Sequence, residues 1–122
     1  MSRLKNKIAV ISGAASGIGF ATALAFANEG ARVIMLDRAE DRLRTAVSDL
    51  PGDGHEAVVM DVTEEAAWSA LATRISGDHG RLDILVNNAG SGDISPIVET
   101  TLESWRGVLA VNLDGVFLAT KH

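Results

Sequence analysis

The chain has no cysteine and no tyrosine, and only two prolines among its 122 residues. Without cysteine there can be no disulfide, thiolate nucleophile or cysteine-bound metal, which fits a reducing compartment; a cytoplasmic location is expected. Basic blocks are also missing. Eleven Lys and Arg stand against sixteen Asp and Glu, a net charge of -5, so nucleic acid is not an expected partner. No apolar run approaches the roughly 20 residues of a membrane span, so no membrane partner is expected either. Arg3, Lys5 and Lys7 precede the apolar residues 8–11, but that run stops at Ser12 and Gly13. It is too short for the apolar core of a secretory leader. What remains is 47% hydrophobic and 22% charged, the composition of a single globular domain over residues 1–122.

Short β-rich apolar runs alternate with helical patterns. Residues 8–11, 33–36, 57–60 and 82–86 read as strands, the first buried on both faces. Residues 17–29 read as a helix closed by Gly30, a natural C′ residue. Leu43, Val47 and Leu50 mark a second helix over residues 39–50. Thr63 is the expected N-cap of a third, ending near Ser76. Thr100 and Glu103 have capping-box spacing, and Trp105, Val108, Leu109 and Val116 form an apolar stripe on a helix running to the end of the chain. The β-α-β-α-β-α-β-α order predicts an α/β fold with a parallel sheet covered on both faces.

Gly13, Gly17 and Gly19 lie between the first strand and the first helix, in ISGAASGIGF. A helix N-terminus at a strand's carboxyl edge offers free N–H groups and a favourable dipole to an anion. Gly13 suits the tight turn, Gly17 backbone contact with a pyrophosphate, and Gly19 close packing of helix on strand. A glycine turn without a ligand is the alternative, since such spacing alone is weak evidence. Asp37 ends the second strand, 18 residues after Gly19. There a carboxylate can accept hydrogen bonds from an adenosine ribose and repel the extra phosphate of NADP. Arg38, next to it, could instead pair with that phosphate. No Gly-Lys-Ser/Thr follows the glycines, which disfavours a phosphate-loop NTPase. Asn112 is a polar amide inside an apolar helix and asks for a reason.

ISGAASGIG, Asp37, Asp61-Val62, NNAG at 87–90 and Val111-Asn112 resemble, in order and spacing, the classical short-chain dehydrogenases/reductases. Ser12 stands where the family usually has Thr, keeping the hydroxyl. The resemblance covers the whole chain and about the first half of the family's domain. It implies the N-terminal half of a Rossmann-type doubly wound sheet, strand order 3-2-1-4, truncated inside a long helix. It further implies that Gly13, Ser16, Gly17, Ile18 and Gly19 wrap a pyrophosphate. Asp37 would hold the adenosine ribose, and Asp61 and Val62 would meet the adenine. Asn88, Ala89 and Gly90 would line the nicotinamide-side ribose, while Asn87 braces the central strands. Family members that use NADP often carry a basic residue where this chain has Ser16. Together with Asp37 that points to NAD, with NADP the less favoured cofactor. Asn112 matches one of four catalytic residues, an Asn that disturbs its helix and orders a water beside a catalytic lysine.

The family's other three catalytic groups are a Tyr-x-x-x-Lys pair and an upstream Ser. Hydride transfer needs a proton partner of tuned pKa near the reacting oxygen, and no tyrosine is present. His55, His79 and His122 read as solvated. Two readings follow. One is an NAD(H)-dependent oxidoreductase of secondary alcohols and ketones, of which this is the cofactor half, inactive alone. The other is a non-catalytic NAD-binding fragment. The helix after Thr100 corresponds to the family's subunit interface, so a homo-oligomer is expected.

Overall fold

The computed structural model of the chain describes residues 2–122. Four parallel strands, β1 (Ile8–Ser12), β2 (Arg32–Asp37), β3 (Glu56–Val59) and β4 (Ile84–Val86), form one sheet in the order β3-β2-β1-β4. This is the expected 3-2-1-4 arrangement. Ala9 pairs with Val33 on one side and Ile84 on the other, which places β1 in the interior of the sheet. The helices α1 (Gly17–Asn28), α2 (Glu40–Ser48) and α3 (Glu65–His79) connect the strands.

The strand sequences dictate the two-sided burial. Every β1 residue is buried, and alternate side chains enter opposite layers. Ile8, Val10, Ile34 and Leu36 pack with Trp68, Leu71 and Ile75 of α3. Ile11, Val33 and Met35 pack with Ala23 and Ala27 of α1 and Leu43 of α2. The small Ala residues let α1 lie close to the sheet. At its end Gly30 has φ +92, and the amides of Gly30 and Ala31 return to the carbonyls of Ala27 and Phe26 at 3.1 Å each. This is a Schellman motif, as the glycine predicts.

Two expected caps shift by a residue or more. The Thr63 amide and hydroxyl both donate to Asp61 Oδ1, at 2.9 and 2.7 Å, so Thr63 closes a turn instead of capping α3. That helix starts at Glu65 and runs to His79, ended by Gly80 at φ +73. Further on, the Thr100 hydroxyl donates to the Pro96 carbonyl, closing a 3₁₀ turn over Ile97–Glu99, and Thr101 caps the next helix by accepting the Ser104 amide at 3.0 Å. The last helix is not one regular α-helix. It comprises α4 (Leu102–Leu109), a π-helical turn (Ala110–Asp114) and α5 (Gly115–Lys121). No helix among the described residues is long and apolar enough to cross a membrane.

The histidines are not all solvated, contrary to expectation. His55 Nδ1 accepts the Val33 amide at 3.1 Å while its Nε2 meets the Pro51 carbonyl at 2.8 Å, so His55 ties the PGDG turn to β2. The His79 side chain is buried beside Glu56, and His122 lies 2.9 Å from Glu65.

Candidate functional site

The carboxyl ends of all four strands converge on one rim, and every sequence-predicted site residue lies on or beside it. The glycine turn from β1 to α1 passes directly under the turn after β4. A Cβ on Gly13, at φ +62, would come within 2.9 Å of the Ala89 Cα. One on Gly19 would fall on the Gly13 carbonyl oxygen and within 2.6 Å of Asn88 Nδ2. Both glycines are therefore demanded by protein packing. Gly17 differs: at φ +59, its missing Cβ would meet nothing within 4 Å. It opens α1, where the first-turn N–H groups have no helical acceptor. Ser16 precedes it in extended conformation and its hydroxyl caps nothing; Ile18 is exposed, and the first turn holds no acidic side chain. In α2, by contrast, Glu40 and Asp41 occupy that turn. An open, uncapped helix N-terminus beside an empty glycine face fits the pyrophosphate of a dinucleotide.

Asp37 links the neighbouring loops. Its Oδ2 accepts the Ala15 amide at 3.1 Å and its Oδ1 the Ala39 amide at 3.0 Å. Each oxygen retains further acceptor capacity, and Asp37 lines the cleft. Across that cleft Asp61 Oδ2 faces Arg38 Nε at 3.7 Å. The Asp61 carboxyl is held below its usual range by the Thr63 hydroxyl first, then the Thr63 amide, with Arg38 adding to the effect. Val62 is buried. Its carbonyl accepts Trp68 Nε1 at 2.9 Å, and a Cβ on Gly115 would come within 3.0 Å of its Cγ2. Gly13, Asp37, Arg38, Asp61, Ala89 and Gly90 line an open cleft of about 180 Å³.

The bracing expected of Asn87 is made by Asn88, whose Nδ2 donates to the Gly13 carbonyl at 3.1 Å. Asn87 itself is exposed. Ser12 is the residue whose importance sequence reasoning missed. Its buried hydroxyl accepts the amides of Asn88 and Ala89, at 3.1 and 3.0 Å. The available signal was a hydroxyl ending a strand that is otherwise apolar. Asn112 sits within the π-helical turn. Its Oδ1 accepts the Ser91 amide at 2.8 Å and its Nδ2 donates to the Ser91 carbonyl at 2.7 Å. The wide turn thus carries an amide that grips the loop after Gly90 by both sides of one residue. Farther along that loop, Asp93 accepts the Ser104 hydroxyl and the Ser95 amide. Among the described residues no group of three or more His, Asp or Glu is placed to hold a metal ion.

The short chain dehydrogenase family matches residues 7–122. The chain belongs to this family. It is 41% identical to D-threitol dehydrogenase of Mycolicibacterium smegmatis over 118 residues, covering 95% of this chain and 45% of that protein. It is 35% identical to meso-2,3-butanediol dehydrogenase of Serratia marcescens, covering 98% of this chain and 47% of that protein. A crystal structure of a metagenomic short-chain oxidoreductase in complex with NADP superposes with a TM-score of 0.92 at 35% identity, over 98% of this chain and 56% of the other. The chain thus spans about half the length of the curated relatives it matches. The short-chain dehydrogenase fold places its glycine turn, Asp37 and the NNAG turn at one rim of the sheet.

Proposed function

We propose that this chain supplies the NAD(H) site of a short-chain dehydrogenase that transfers hydride between the nicotinamide and a secondary alcohol or ketone. The observation that carries the reading is the open, uncapped start of α1 at Gly17, next to a glycine turn sealed on its other side by Ala89 and Asn88. Gly13, Ser16, Gly17, Ile18 and Gly19 would hold the pyrophosphate, Asp37 the adenosine ribose, and Asp61 the adenine with Val62 beneath it. Asn88, Ala89 and Gly90 would face the nicotinamide-side ribose. The bound nicotinamide supplies the hydride chemistry. The protein residues bind it, orient it and fix the loop beside it. Both relatives named above act, by their names, on alcohols with secondary hydroxyls, which supports the substrate class.

Asp37 favours NAD, because a 2′-phosphate would face a carboxylate already fixed by two amides. Asn112 would act from its π-helical turn, and here its side chain holds Ser91. The chain's 122 residues include no tyrosine, so the proton partner of the family's reaction is not among them. The chain by itself therefore binds cofactor without turnover. Small-molecule substrate and a homo-oligomer formed through α4 and α5 complete the reading, in a cytoplasmic setting.

Calorimetric titration of NAD and NADP into the wild-type chain and Asp37→Ala tests it. NAD should bind more tightly than NADP. Losing charged hydrogen bonds should weaken NAD by about tenfold and narrow the preference. Unchanged selectivity would remove Asp37 from the ribose. In parallel, NADH oxidation with a panel of ketones should stay at background; a clear rate would overturn the tyrosine argument.

A further inference from the structure

We infer that Asp61 is a specificity-determining residue for the cofactor: by pairing with Arg38 it withholds that guanidinium from a ribose 2′-phosphate. The inference rests on the cofactor reading above and adds a second selector to Asp37.

Arg38 directly follows Asp37 and stands at the same rim of the cleft. A guanidinium in that place has the charge and the fork geometry for a phosphate. In the structure its charge is shared with a carboxylate. Its Nε lies 3.7 Å from Asp61 Oδ2. Among the described residues its ion-pair partner is Asp61 and not Asp37, whose two carboxylate oxygens accept the amides of Ala15 and Ala39. Asp61 is itself fixed. Thr63 occupies Oδ1 with two hydrogen bonds, which leaves Oδ2 toward Arg38. The pair bridges the ends of β2 and β3, which are adjacent in the sheet, with the Met60 amide on the Asp37 carbonyl at 3.1 Å. A 2′-phosphate would have to compete with Asp61 for the charge of Arg38. Because Arg38 is mostly exposed, the pair is weak and the selection modest.

The test is a double-mutant cycle read as the ratio of NADP to NAD affinity, with NADP measured by displacement of NADH. Both cofactors carry the same adenine, so any damage to the adenine contact cancels in the ratio. Asp61→Asn should raise the ratio by about threefold to fivefold, the scale of an exposed ion pair. In an Arg38→Ala background the same substitution should leave the ratio within about twofold. An unmoved ratio in Asp61→Asn overturns the inference. So does an equal rise without Arg38, which would mean plain repulsion between Asp61 and the phosphate. Thr63→Val loosens Asp61 without removing its charge and should shift the ratio in the same direction; it serves if Asp61→Asn does not fold. If the wild-type chain binds neither cofactor, the cofactor reading itself fails and this inference falls with it, a result distinct from binding with an unmoved ratio.

Discussion

The hydroxyl of Ser12 at the end of β1 accepts the amide of Ala89, 3.0 Å away in the turn after β4. The same oxygen takes the Asn88 amide at 3.1 Å. One buried atom thus sets the height of the NNAG turn above the glycine turn. Ser12→Ala would leave the Ala89 amide without its acceptor, at about 1–3 kcal/mol for a donor kept from water, while the Asn88 amide keeps the Val86 carbonyl at 3.1 Å. We expect a loss of about 2 kcal/mol in urea unfolding, with Ser12→Thr close to wild type because the hydroxyl persists. An Ala variant as stable as wild type would show that another acceptor reaches the Ala89 amide.

Gly17 and Gly19 look equivalent in sequence and should behave oppositely. A Cβ on Gly19 collides with the backbone of Gly13 and with Asn88. Gly19→Ala should therefore disrupt the β1–α1 turn and lower thermal stability. A Cβ on Gly17 meets no protein atom. Gly17→Val carries the strain of a positive φ, but its larger consequence should be on the ligand: folded by circular dichroism, silent in NAD calorimetry. NAD affinity equal to wild type in Gly17→Val would remove the pyrophosphate from this helix end.

The difference between those glycines marks how far the sequence could be read. Period and composition located the strands, and their alternation predicted a parallel sheet; the order 3-2-1-4 was implied by the family resemblance alone. The strands and the parallel sheet follow from burial on both faces, a local property of each segment. The glycine spacing located the turn. Which glycine faces protein and which faces open space depends on the turn after β4, about 70 residues away in sequence. Caps failed for a related reason. Thr63 and Thr100 have the right side chain in the right place, but each hydroxyl donates to a nearby oxygen first. Asn112 announced itself as a polar residue in an apolar helix; its grip on Ser91 needed the path of the loop.

Asp93 gives the loop after Gly90 a pH dependence at the acid end. Its pKa is lowered to about 2, from 3.8, by the Ser104 hydroxyl first and by Ser95 next. A carboxyl depressed on folding contributes stability that is complete above its unfolded value and is lost as pH falls through the folded one. The anchor to α4 should therefore hold at pH 4 and above and weaken between about pH 4 and pH 2. The Ser95 and Ser104 resonances in an NMR titration should shift together over that window. In Asp93→Asn, which cannot ionise, this titration should vanish; shifts that survive would trace to another group.

Trp105, Leu109, Leu113 and Phe117 are spaced four apart along the last helix and all are exposed, Leu113 and Phe117 by 61% and 60%. On a regular α-helix, steps of four drift about 40° each around the axis. The π-helical turn over Ala110–Asp114 is wider and takes up part of that drift, so the four stay on one face. A contiguous apolar strip of this kind is characteristic of an interface. A second copy packing the same strip against it would give a closed, isologous dimer. The sheet offers a competing route, because among the described residues β4 pairs only with β1, which leaves its other edge open. Edge pairing propagates instead of closing. The two routes separate in sedimentation. Leu113→Lys, on the helix face and far from β4 in sequence, should convert a discrete oligomer to monomer. Association that persists unchanged, or that grows without limit as concentration rises, would assign it to β4 and leave the helix face unused.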